Sequence, residues 1–158
     1  MRVRDLDGMP ATPAHPILTG GLIAGTLDII AAIVIYAFRG VSPVRILQSV
    51  ASGLLGPPAF TGGAGTAALG LALHFFIATT AAAVYFFASL KLPMLVRKAG
   101  TWGALYGVAV WAFMQFVVLP LSAMRQQPFN AEMALIMIVV HVVCVGLPIA
   151  FAARRYSG

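Results

Sequence analysis

The chain has 158 residues, of which 61% are hydrophobic and 9% charged, and its formal net charge is +6. So little polar surface excludes a water-soluble globular domain, and the length leaves room for four helices with short connections but no second domain. The ten Lys and Arg sit at the ends of apolar runs and form no stripe, which points to lipid head groups as the partner and away from nucleic acid.

Residues 1–16 mix two Arg with two Asp and three Pro. The apolar run that follows is too long for a signal-peptide core and ends in Tyr36-Ala37-Phe38-Arg39 without a small-residue cleavage site. It reads as an uncleaved first span over 17–38. Three more runs, 66–90, 101–121 and 131–153, also reach the ~20 residues that a helix needs to cross a bilayer.

Between the first two spans, Ser42-Pro43 is a helix start, with a hydroxyl at the N-cap and proline at the first helical position. Val44, Leu47, Val50, Ala51, Leu54 and Leu55 fall on one face, and Arg45, Gln48, Ser49 and Ser52 on the other. This spacing predicts a short amphipathic helix over 43–55, lying on the outer surface or plugging the bundle mouth, and stopped by Gly56-Pro57-Pro58. The glycine-rich return Thr61–Gly65 is read as a turn.

The second connection carries Lys91, Arg97 and Lys98, and its Leu92–Val96 segment is expected to skim the inner interface. Trp102 fits an interfacial anchor. The third connection, Ser122–Asn130, is short, which makes spans three and four antiparallel neighbours. Asn130 is placed to cap the fourth span, with Glu132 in its first turn. Beside the spans, seven Lys and Arg (Arg2, Arg4, Lys91, Arg97, Lys98, Arg154, Arg155) face one side and three (Arg39, Arg45, Arg125) the other. The excess places both termini in the cytoplasm.

Polar residues inside the runs are the candidates for function. Asp28 lies near mid-depth, where an ionised carboxylate costs at least ~2.5–3.5 kcal/mol, so it is expected to face the bundle. Gly21, Gly25, Asp28 and Ala32 form one stripe along which another helix can approach closely. His74 on span two and His141 on span four reach similar depth, and Gln115 on span three joins them from its outer end. Tyr36, Thr79, Thr80 and Trp111 lie nearby. Two histidines on different helices also suit bis-imidazole ligation of a b-type haem, with Gly70, Ala78 and Ala134 leaving room for a porphyrin. A metal site on Asp28, His74 and His141 is a further alternative.

Pro148 removes a backbone donor, frees the Cys144 carbonyl and, with Gly146, marks a hinge in span four. Gly103 with Gly107, and Gly146 with Ala150, are small-residue pairs suited to packing that leave a homodimer open. Cys144, the single cysteine, reads as a small apolar helix residue. No nucleophile–base pair or zinc-protease motif is present in the sequence.

Several segments together resemble the YagU family of small bacterial inner-membrane proteins. They are Gly21–Gly25 opening the first span, the helix-bearing external connection and the second-span segment His74-Phe75-Phe76-Ile77. The third span running from Gly103 through Gln115 to Leu119-Pro120-Leu121, and the last span with His141 and the closing Arg154-Arg155, complete the likeness. The resemblance implies a multi-pass inner-membrane fold and a link to acid tolerance, but no reaction. Histidine titration between about pH 5 and 8 agrees with that link.

The sequence therefore predicts an all-α integral membrane protein, a single domain over residues 1–158. Four transmembrane helices form an antiparallel bundle with one external amphipathic helix. Its expected role is non-enzymatic, with a buried, proton-responsive centre of Asp28, His74, Gln115 and His141 and no cofactor. The alternatives are a haem b or metal module on His74 and His141, or a structural subunit of a membrane complex. A complete transporter is disfavoured, because no inverted repeat is visible.

Overall fold

The computed structural model describes residues 12–125 and 128–157. In chain order the helices are α1 (Ala14–Ala37), α2 (Pro43–Leu55), α3 (Gly63–Lys91), α4 (Met94–Arg97), α5 (Ala99–Leu121) and α6 (Ala131–Arg155), with a 3-10 turn over Pro57–Thr61 before α3. No strand occurs among the described residues. Helices α1, α3, α5 and α6 are long and apolar enough to cross a membrane. They begin up to three residues before the expected spans, since backbone hydrogen bonding does not stop where the side chains turn polar. The count of Arg2 and Arg4 toward topology lies outside the described residues.

Local signals act where the residues predict. The Ser42 hydroxyl accepts the Arg45 N–H at 3.4 Å, and the Asn130 side-chain oxygen accepts the Met133 N–H at 2.9 Å. Each satisfies a donor that the first turn of a helix leaves unpaired. Asn130→Ala is expected to cost about 1 kcal/mol, readable as a lower thermal midpoint in detergent.

Glycines then set the distances between helices. A Cβ at Gly21 would stand 2.6 Å from Thr79 Cα, and one at Gly25 would stand 2.8 Å from Phe75 Cδ1, so α1 and α3 touch backbone to backbone. On the other side, Gly103 meets Ala150 and Leu147, and Gly107 meets His141 and Val142. The small-residue pairs of α5 and α6 thus pack against each other within the chain.

The core comprises Ala24, Ala82, Tyr85, Val96, Ala99, Val145, Ile149, Ala150 and Ala153. Tyr85 donates to the Leu95 carbonyl at 2.9 Å and Tyr106 to the Ala81 carbonyl at 2.7 Å, their ring centroids 4.9 Å apart. Val96 and part of Leu95 therefore belong to the packed end of the bundle, while Leu92 and Met94 of the same segment are exposed. Tyr106→Phe keeps the ring contact and removes one hydrogen bond. The expected loss is about 1 kcal/mol, read by denaturation, with the helix content unchanged.

Helix α2 departs from its predicted facing. Gln48 and Ser52, assigned to the solvent face, are buried, while Val44, Leu54 and Leu55 are exposed. Gln48 Nε2 donates to the Gly63 carbonyl at 3.1 Å and to the Thr66 hydroxyl at 3.4 Å. The Leu47 carbonyl lies against Gly70, so α2 packs along the first half of α3, and its Gly53 carbonyl accepts the Ala123 N–H at 2.9 Å. The buried face thus mixes Ile46 and Ala51 with the two polar residues.

Both α5 and α6 widen into π-helical turns, at Met114–Val118 and His141–Gly146. Each turn precedes a proline, Pro120 or Pro148, whose missing N–H and bulky ring disturb the hydrogen bonding one turn back. Gly146 is wedged against Gly103 and Gly107 where the two helices meet.

Candidate functional site: a polar cavity among the long helices

The backbone devices above leave a cavity of about 520 Å³ between α1, α3, α5 and α6. Asp28, His74, Gln115 and His141 all line it, one from each long helix. Counted along α1, Asp28 sits ~13 Å from the helix end, whereas Tyr36 and Arg39 lie at the rim. The segment between α5 and α6 completes the rim with Met124, Arg125, Phe129 and Asn130. Arg39 reaches across to Glu132 at 3.5 Å. Both members are well exposed, so this pair adds little to stability.

The two π turns carry two of the four polar residues, Gln115 and His141. A π turn is wider than an α turn and rotates the side chains that follow it, which is one reason such turns occur at functional sites. The α1–α3 contact at Gly25 positions another. His74 Nε2 lies 2.8 Å from the Gly25 carbonyl oxygen. A carbonyl only accepts, so Nε2 carries the hydrogen and neutral His74 keeps its lone pair on Nδ1. By the same argument His141 Nδ1, 2.9 Å from the Met137 carbonyl, is the donor, and Nε2 is the free nitrogen. Each imidazole is thus held by one bond to backbone and has one nitrogen available for a proton or a ligand.

Asp28 is half-buried and lines the cavity, with no hydrogen-bond partner among the described residues. Among the described residues, no buried side-chain nitrogen or oxygen lacks a partner. The Asp28 oxygens therefore open onto the cavity space, where water can solvate them. This arrangement can hold a proton or a small polar guest.

The remaining candidates divide. Tyr36 and Trp111 line the cavity, but Thr79 is consumed in the contact with Gly21, and Thr80 bonds the Phe76 carbonyl on an exposed face. Among the described residues, no three His, Cys, Asp or Glu side chains form a group that could hold a metal ion. Gly70, expected to leave room for a porphyrin, is covered by α2; Ala78 and Ala134 do face the cavity. Ligation of haem through His74 Nε2 would also require its bond to Gly25 to break.

Sequence reasoning missed the rim arginines and the sulfur content of the wall. Met114, Met124, Met133 and Met137 all line the cavity, and the four-residue spacing of Met133, Met137 and His141 on α6 was the available signal. No family model, curated protein or solved structure matches the chain.

Proposed function

We propose that the protein is a non-enzymatic, multi-pass component of the bacterial inner membrane. Its four long helices run antiparallel, both termini are cytoplasmic, and its cavity takes up protons from the outer side. Asp28, His74 and His141 are the titrating groups, and Gln115 is a neutral hydrogen-bonding neighbour. The observation that carries this reading is the convergence of one polar side chain from each long helix on a single cavity. An intramembrane carboxylate has a substantial cost, and side chains of this kind line ion and proton pathways. The likeness to the YagU family, with its link to acid tolerance, points the same way. So does the excess of Lys and Arg on the side opposite the rim.

Trp111 lines the cavity and serves as the reporter. In a Trp102→Phe background, its emission in detergent is expected to shift as pH falls from about 8 to 5. The shift should shrink in His74→Gln and His141→Gln variants and in Asp28→Asn. A titration identical in all of these proteins would refute proton uptake by the cavity. Variants that lose stability without any change in pH response would indicate a scaffold subunit.

A further inference from the structure

We propose that the cavity binds an amphipathic organic cation, an arylalkyl or alkyl primary ammonium ion. Its charged end meets the Asp28 carboxylate and its apolar body fills the hollow between Asp28 and the rim. Asp28 is an anion without an ion-pair partner among the described residues. The two cations that line the cavity, Arg39 and Arg125, both stand at the rim, and Arg39 is paired with Glu132. Arg39 also lies past the end of α1, at least ~13 Å along the axis from Asp28. A charge left alone at membrane depth is costly, and a guest of opposite charge offsets that cost directly.

The groups near Asp28 are chiefly acceptors. The Gly25 carbonyl, to which His74 Nε2 donates, points along α1 toward the turn that carries Asp28, ~4.5 Å further on. Asp28 also acts electrostatically on Cys144, which follows His141 by one turn in the π turn of α6. With both histidines neutral, the nitrogens left open are lone pairs, Nδ1 of His74 and Nε2 of His141. The Gln115 amide is the one neutral donor among the four polar residues. Acceptors around a negative charge repel an anion and favour a guest rich in N–H donors; an ammonium group brings three, together with its charge. The guest needs one contact to Asp28 and no converging shell, whereas a metal ion needs a ligand group that the described residues do not form.

The rest of the lining suits an apolar body. Ile77, Val110, Trp111, Met114, Phe129 and Met137 all face the hollow, whose volume of about 520 Å³ lies in the range of small-molecule sites. Its surroundings also offer an approach from the bilayer. Gly103, Gly107 and Gly146 hold α5 and α6 together at one end, while Met114–Leu121 and Ala131–Val140, on the side of the rim, contain no buried residue. The proposal shares the cavity and Asp28 with the proton-uptake reading. It requires an ionised Asp28 at about pH 8 and no titration of either histidine.

The test compares three probes of one shape on the purified Trp102→Phe chain in a neutral detergent at about pH 8. They are 2-phenylethylammonium, the neutral 3-phenylpropan-1-ol and the anionic 3-phenylpropionate. Trp111 emission and calorimetry read binding. The ammonium ion is expected to give a saturable response, with the alcohol and the carboxylate each at least about tenfold weaker. This comparison needs no substitution at the site. Asp28→Asn should weaken the ammonium ion at least about tenfold and leave the alcohol unchanged. No saturable response to the ammonium ion, equal binding of the alcohol, or full affinity in Asp28→Asn would each overturn the proposal. So would tighter binding of the carboxylate, which would assign the site to the rim arginines. Proton uptake is read from the Trp111 titration without any probe, so either proposal can fail alone.

Discussion

Gly146→Val is expected to separate α5 from α6 and to cost about 3 kcal/mol or more. A Cβ at this position would run into the Gly103 carbonyl and the backbone of Gly107. Those are main-chain atoms of a packed helix, so no rotamer change relieves the clash. The partner position behaves alike, since a Cβ on Gly107 would stand 2.6 Å from Val142 Cα. Pushing the helices apart also displaces His141, whose backbone lies in that contact, and opens the cavity wall. The thermal midpoint in detergent and the Trp111 emission should therefore change together. Gly65→Ala and Gly100→Ala are the controls. Nothing lies within 4 Å of a Cβ at either position, and alanine there raises helix propensity by about 0.5–1 kcal/mol. If Gly146→Val melted like the wild type, the close α5–α6 contact would be wrong.

Asp28→Asn is expected to reduce the pH response of the cavity while leaving the fold intact. The carboxylate makes no hydrogen bond to the described residues, so its replacement by an amide of the same shape breaks nothing that holds α1 in place. An ionised carboxylate within a bilayer costs ~2.5–3.5 kcal/mol or more, and the neutral amide avoids the charged part of that cost. Stability at neutral pH should accordingly stay level or rise. Asp28→Leu separates the two contributions further, since it also removes the polar atoms that water in the cavity can solvate. A protein that unfolds on Asp28→Asn would instead make Asp28 a structural group with a partner, and proton uptake would have to be assigned to the histidines alone.

Particular residues show how much of this was legible beforehand. Run length and hydropathy are enough to find the four long helices, because a lipid-spanning helix is defined by composition over ~20 residues. Ser42, Pro43 and Asn130 were legible too, since a cap acts through its own first turn. The four polar side chains could be nominated by cost and ranked by depth from a count of residues. Their meeting in one hollow could not, because a shift of one residue rotates a helical side chain by about 100° about the axis. The π turns supply such a shift just where Gln115 and His141 sit.

Gln48 and Ser52 were placed on the wrong side for a different reason. The rule that apolar faces point inward assumes water outside, and α2 presents Val44, Leu54 and Leu55 outward. Gly70 was misjudged because its open side is taken by a helix distant in sequence. Met133 and Met137 sit unremarked in an apolar run of the sequence; their common exposure to the cavity is what distinguishes them from leucine.

Sequence by itself determined the helical class, the lengths and caps of the elements, and the costly residues that need an explanation, because each follows from local composition and hydrogen bonding. Tertiary structure alone decided which glycines touch which backbone, where α2 docks, and that Asp28, His74, Gln115, His141 and the methionines share one space. Those outcomes depend on the rotation and spacing of helices, which are set by contacts between residues far apart in the chain.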